Sequence, residues 1–248
     1  MAYWLHWANG WACALRIRTP CITRALLVDF SSFSPALIIT VVVALALAPF
    51  VAVMVTSFTK IVVVLSLLRN ALGLQQVPPN VVLNGLAIIL SVYVMNPVIT
   101  DTYRSVQSQI STQAPGPMNL DKLGMMVQVG KEPLRQFLIK HSHQVERDFF
   151  LQSAKRLLPP DRQSDLTSND YLVIMPAFTV SELTEAFQIG FLLFLPFLVI
   201  DLVVSNILLA MGMMMLSPTM VSLPFKLLLF ILLSGWAKLI HGLVLTYQ

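Results

Sequence analysis

The sequence predicts an all-α integral membrane protein, with four long hydrophobic helical segments forming helical hairpins and a small helical insert. Three observations carry this. Hydrophobic residues make up 56% of the 248 and charged residues only 11%, where a soluble domain holds about 25% charged. Four stretches approach or exceed the ~20 apolar residues that a helix needs to cross a bilayer. Between residues 101 and 185 lie 19 of the 28 formally charged residues, which sets a solvent-facing insert between apolar flanks. The division that follows is an N-terminal extension at 1–34, a first hydrophobic hairpin at 35–100, the insert at 101–175, and a second hairpin at 176–248.

Residues 1–34 hold three Trp and three Arg but no long apolar run. A secretory leader places its charges ahead of an apolar core, and here the order is reversed. The segment reads as a disordered extension, or as an interfacial one because of its tryptophans. A third reading puts the true start near Val28. Cys13 and Cys21 both fall here without metal-ligand spacing, so neither a disulfide framework nor a zinc site is expected.

From Pro35 to Thr59 there is no charge, and Pro49 is expected to kink the span. Lys60 interrupts the run. Residues 60–72 are either the same helix continuing or a second short one, stopped at Gly73. Gln75 to Asn80, with Pro78 and Pro79, is a turn. The next apolar segment runs from Val81 to Val98. Its Asn84, Gly85 and Asn96-Pro97 mark helix–helix contact rather than a lipid-facing surface.

In the insert, Ser105 to Leu120 is rich in Ser, Gln, Pro and Gly and reads as a linker. Pro133 suits a first helical position. Leu134, Phe137, Leu138, Val145 and Phe149 then recur at helical spacing, predicting one amphipathic helix to about Leu158, stopped by Pro159-Pro160.

The stretch Pro176–Pro218 organises the chain. Thr179 and Glu182 have the spacing of a capping box, and Glu185 fits the same first turn, where acids are favoured. From Ala186 to Leu216 the only formal charge is Asp201. The stretch ends in Met211, Met213, Met214 and Met215, then Ser217-Pro218. On a helix, Met211, Met214 and Met215 would share one face. The last segment runs from Val221 to Gln248, with Pro224 near its start, Lys226 and Lys238 at its ends, and Gly235, Trp236 and Gly242 favouring close packing.

Orientation follows from positive charge. Lys60 and Arg69, with no acid between them, place the first connection in the cytoplasm and the insert in the periplasm.

Few residues point to chemistry. The methionines are either core filling, since thioethers pack irregular gaps, or a pliable gasket around something that passes. Asp201 in an apolar helix is a functional hypothesis by default. It is either protonated or paired with Lys226, Lys238 or a partner subunit, and serves either as a polar lock or as a proton-relay site. Asn206 and Asn84 are placed to hydrogen-bond between helices. His141 and His143, two apart, do not face one way on a helix, so no metal is expected. There is no glycine-rich phosphate loop, no G-x-S-x-G and no paired solvent-facing carboxylates, which argues against an enzyme and against a cofactor. The net charge of +4 is scattered rather than clustered, against nucleic-acid binding.

Three blocks carry a family resemblance: SFTKIVVVLSLLRNALGLQQVPPNVVLNGLAIILSVYVMNPV (57–98), PAFTVSELTEAFQIGF with LPFLVIDLVVSNILLAMGMMMLSP (176–218), and LPFKLLLFILLSGWAKLIHGLVLTY (223–247). Together they resemble the FliP/SctR family of inner-membrane export-gate proteins in type III secretion, nearer the virulence branch than the flagellar one. Pro176, Ser181, Glu182, Phe187 and Gly190 fall in the family motif. One position departs: many members carry an acid before Gly235-Trp236, and this chain has Ser234. The resemblance implies a pore-forming subunit that conducts unfolded protein substrates, with the methionines as the seal. It also implies a homopentamer joined by SctS-type and SctT-type subunits, with SctU-type and SctV-type proteins in the same export apparatus. The energy would come from a separate ATPase and the proton motive force. Members of the family are thought to stack largely above the membrane plane, so the apolar segments would face partner subunits as well as lipid. The competing class is a stand-alone ion- or proton-coupled membrane transporter, motivated by Asp201 and the broken helices. Inverted sequence halves would support it, and none is seen. An inert membrane scaffold is a third class.

Overall fold

The computed structural model of the protein describes residues 35–74, 77–112, 120–159, 163, 166–213 and 215–247. Its helices are α1 (Pro35–Met54), α2 (Phe58–Ala71), α3 (Asn80–Thr112), α4 (Leu120–Lys140), α5 (Gln144–Leu157), α6 (Tyr171–Ala210), α7 (Pro218–Leu232) and α8 (Gly235–Leu245). No strand occurs among the described residues. The chain divides into two compact units, residues 1–48 and 49–248. The described part of the first is the charge-free opening of α1, and the second holds the remaining elements. The readings for residues 1–34 fall outside the described residues.

Apolar runs form the helices, and the breaks fall where backbone groups find other partners. α1 runs through Pro49 to Met54, and the break comes at Val55–Ser57 instead of at the proline. In an apolar setting every additional unpaired backbone group is costly, so a helix continues past one proline. Ser57, within the break, bonds through its hydroxyl to Ser91 of α3 at 3.2 Å. α2 is therefore a second, separate helix. Gly73 ends it at φ +76°, and Leu74 N–H reaches back to the carbonyl of Arg69 at 3.2 Å, satisfying a carbonyl the helix end leaves free.

Four sequence expectations are corrected. The Ser105–Leu120 stretch is not a linker throughout: α3 continues to Thr112 because α4 packs along it. Gly130 of α4 faces α3 at this contact. A Cβ there would lie 3.4 Å from Val106, and Thr102 donates to the Gly130 carbonyl at 3.4 Å. Next, Pro133 lies inside α4, not at its start. Third, the amphipathic helix expected to run to Leu158 is two helices, broken at 141–143, where His143 N–H leaves the helical ladder for Ser181 Oγ at 2.9 Å. Val145 and Phe149, placed on its apolar face, are exposed. Last, α6 begins at Tyr171, so Thr179 and Glu182 sit mid-helix and form no capping box. Thr179 bonds its own Met175 carbonyl at 2.9 Å.

α6 has 40 residues and passes both Pro176 and Pro196. At 1.5 Å per residue it is roughly 60 Å long, about twice the ~30 Å hydrocarbon core. Residues Asn80–Gln109 and Tyr171–Ala210 are each long and apolar enough to cross a membrane, and the number of spans rises to four if α1–α2 and α7–α8 each count as one broken span. Only 22% and 17% of the two most apolar windows are buried within the chain, so most of that surface meets lipid or other chains. The final segment is likewise two helices, meeting at 61°. Ser234 at the corner has φ +52°.

α2 is the hub. Its Ile61, Val64, Leu65 and Leu68 are fully buried and cluster with Leu83 and Ala87 of α3, Ala186 and Phe197 of α6, Phe230 of α7, and Leu239 and Leu243 of α8. A smaller cluster joins Val55, Leu138 of α4, and Ile174 and Phe178 of α6.

Candidate functional site

The methionine segment is a loop, which corrects the expectation of a shared helical face. α6 ends at Ala210 with Met211 as its C-cap. Gly212 follows at φ +72°. Its N–H bonds the Leu209 carbonyl at 3.0 Å, and Met213 N–H bonds that of Leu208 at 3.0 Å. That double bond pattern is a Schellman closure, and the left-handed position suits glycine. Ser217-Pro218 then opens α7, with proline at a first-turn position where its missing N–H costs nothing. Met211, Met213 and Met215 are 55%, 45% and 101% exposed, so they fill no core within this chain. Met214 lies outside the described residues.

About two and a half turns from this loop, α6 and α7 are locked together. Asp201 accepts from Lys226 Nζ at 2.6 Å through one carboxylate oxygen and from the Ser222 hydroxyl through the other. Lys226 also donates to the Ala71 carbonyl of α2 at 3.4 Å. Lys226 and Ser222 are buried. Among the partners open to Asp201, the chain supplies Lys226 and not Lys238.

A second charged cluster was not read from the sequence. Lys60, only 1% exposed, lies 3.0 Å from Glu182 Oε1 and 2.7 Å from Glu185 Oε2. The first contact is off the angle of a hydrogen bond and is ionic. Tyr247 donates its hydroxyl to Glu182 Oε2, and its ring lies 4.3 Å beneath Lys60 Nζ, a cation–π contact. His143 Nε2 reaches Glu185 Oε1 at 3.1 Å. The His141 ring packs 5.1 Å from that of Tyr247 and 4.7 Å from that of Phe137. Burial, reinforced by Lys140 and Lys60 and opposed by Glu185, pushes the His141 imidazole down to about 4. The cluster pins α2, α6, the α4–α5 turn and the chain's C-terminal end together.

This arrangement changes the orientation argument. Lys60 is a neutralised core residue in the first turn of α2 rather than a loop charge, and Arg69, in the last turn of the same helix, bonds to the Pro78 carbonyl and to Asn80. Among the described residues no three metal-ligating side chains converge.

Comparison with known proteins assigns the chain. Residues 23–243 match the sequence model of the FliP family. The chain belongs to the FliP family. It is 51% identical over 221 residues to the hypersensitivity response secretion protein HrcR of Ralstonia nicotianae, covering 89% of this chain and 99% of that one. It is 53% identical over 210 residues to the Yop proteins translocation protein R of Yersinia pestis, covering 85% and 95%. The virulence protein YscR of Salmonella typhimurium is 45% identical over 218 residues, covering 87% and 98%.

In this FliP-family chain the motif residues have separate tasks. Gly190 leaves room for Leu67 of α2, since a Cβ there would lie 2.2 Å from Leu67 Cδ1. Ser181 accepts from His143 N–H and donates to the Ala177 carbonyl at 2.8 Å. Glu182 anchors Lys60. Pro176 lies within α6, and Phe187 is exposed at 54%. Asn84 and Asn206 are both exposed, and among the described residues neither makes an inter-helix hydrogen bond. The signal for the Lys60 cluster was present, because a charge in an apolar run has a partner by default. The same rule covers Asp201 and Lys60 alike.

Proposed function

We propose that this FliP-family chain is a pore-forming subunit of a type III secretion export gate that conducts unfolded protein substrates, with the loop at Met211–Leu216 as its seal. It is a multi-pass protein of the bacterial inner membrane and a component of a secretion apparatus of the virulence type. The observation that carries the pore reading is the loop itself. Large thioether side chains stand exposed on a glycine-closed turn, while the helices behind them are held by Asp201, Ser222 and Lys226. A rigid base with a soft rim suits closure around a chain of varying side chains, because methionine repacks without directional bonding. The reading carries no chemical step and no cofactor.

The seal requires copies of this chain around a common axis. A homopentamer with SctS-type, SctT-type, SctU-type and SctV-type partners is the assembly the family resemblance implies. The reading puts the insert, residues 101–175, on the periplasmic side, as the positive charges at Lys60 and Arg69 led the sequence to expect. The test is conductance. Replacing Met211, Met213, Met214 and Met215 with Ala, in complexes shown to assemble, is expected to raise small-solute leakage through the resting gate. Unchanged leakage in assembled complexes overturns the seal. Cysteines introduced into α5 should react with an impermeant reagent from the periplasmic side only.

A further inference from the structure

Where α7 turns into α8, the chain leaves a cavity of about 460 Å³ between α6, α7 and α8. Its walls are apolar, with Ile189, Leu193, Phe197, Leu229 and Leu239 among them. Two polar side chains touch it. Thr246 satisfies its hydroxyl on the Leu243 carbonyl at 2.7 Å. Lys238 is exposed and, among the described residues, has no ion pair or side-chain hydrogen bond. It thereby differs from Lys60 and Lys226, each of which has its own carboxylate. The cavity owes part of its space to Gly242, where a Cβ would meet nothing within 4 Å.

We propose that this cavity binds an anionic phospholipid, its acyl chain lying in the apolar pocket and its phosphate paired with Lys238. The size falls within the ~300–1,000 Å³ of ordinary ligand sites. Lys238 stands exposed at the rim of an apolar helix pair that is long enough to cross a membrane as one broken span, so its ammonium is free to meet an anionic headgroup, and among the described residues no carboxylate competes for it. A flexible lysine stem lets the charge reach a headgroup while its methylenes stay on the apolar wall. A zwitterionic lipid also offers a phosphate, but its own ammonium offsets that charge, so the site favours a lipid of net negative charge.

Native mass spectrometry tests this on the membrane-extracted complex, delipidated and reloaded with an equimolar mixture of phosphatidylglycerol and phosphatidylethanolamine. Bound adducts are expected to favour phosphatidylglycerol about fivefold, the preference that one near-surface lysine gives. Lys238→Gln should bring the ratio close to one. Gly242→Leu should fill the pocket and remove the adducts of both lipids. Gly242→Ala, whose added methyl meets open space, should retain them and shows that the fold tolerates change there. A ratio unmoved by Lys238→Gln, adducts that survive Gly242→Leu, or a neighbouring protein chain seated in the pocket in a structure of the complex would each overturn the proposal.

Discussion

Replacing Lys60 with Met isolates the buried cluster. Met keeps most of the length and apolar character of the lysine stem, so little cavity forms. It leaves Glu182, 1% exposed, and Glu185, 31% exposed, side by side without their cation. Removing one partner of a buried ion pair costs about 3–5 kcal/mol. Partial hydration of Glu185 places the loss near the lower end, about 3 kcal/mol. The contact over the Tyr247 ring adds about 0.5–1 kcal/mol. For a chain of this size about 1 kcal/mol moves the midpoint by ~2–4 °C, so the apparent Tm of the detergent-extracted protein should fall by roughly 7–16 °C. Tryptophan fluorescence during heating, with the lipid content held fixed, reads this directly. Adding Glu182→Gln to Lys60→Met should restore more than half of the loss, because the fully buried charge is then gone and only the partly exposed Glu185 remains. Lys60→Met within ~2 °C of the native chain, or a double variant no better than the single, would refute the reasoning.

The remaining predictions concern other joints. Asp201→Asn keeps an acceptor for Ser222 but leaves the buried Lys226 without an anion. It should lower stability by about 2–3 kcal/mol in a thermal melt, and Lys226→Met should rescue it. If Asp201 is a lock, export falls in step with assembly; loss of proton-coupled export with assembly intact would mark a relay. Gly190→Val forces Leu67 aside and should cost about 1–3 kcal/mol, seen as a lower Tm and weaker α2–α6 crosslinking. Gly212→Val, at φ +72°, should strain the α6 terminus by about 1–2 kcal/mol and broaden the conductance states of the resting gate. His141 gives a pH signature. Its imidazole is held at about 4 in the folded chain against 6.5 ordinarily. The unfolded chain therefore binds the extra proton first, and stability falls as pH drops from 6.5 to about 4. His141→Gln should flatten that part of the Tm–pH curve.

Fold class was legible because apolar runs in this chain are long and charges are few. Helix ends were less legible. Thr179-x-x-Glu182 has capping-box spacing, yet the helix had already started eight residues earlier, and the same two residue types served back-bonding and ion pairing. Pro49 reads as a kink and Pro133 as a helix start, and both are interior, as are Pro176 and Pro196. Neighbouring contacts outweigh a single missing N–H. The methionines were legible as a group, but their exposure depends on where α6 stops, which Gly212 decides. Asp201 announced itself against an apolar background. Lys60 broke an apolar run just as visibly, but its partners lie more than a hundred residues away, and no local spacing names them.

That separation matters for how the protein is made. Glu185 follows Lys60 by 125 residues, and Glu182 comes only slightly sooner. At about 5–20 residues per second the ribosome needs roughly 6–25 s to cover that distance. Throughout that interval the ammonium has been synthesised and its two carboxylates have not. An isolated lysine is resisted by the bilayer interior at about 2.5–3.5 kcal/mol. The neutral setting of α2 is therefore complete only once α6 has been made, and before that its insertion carries this extra cost.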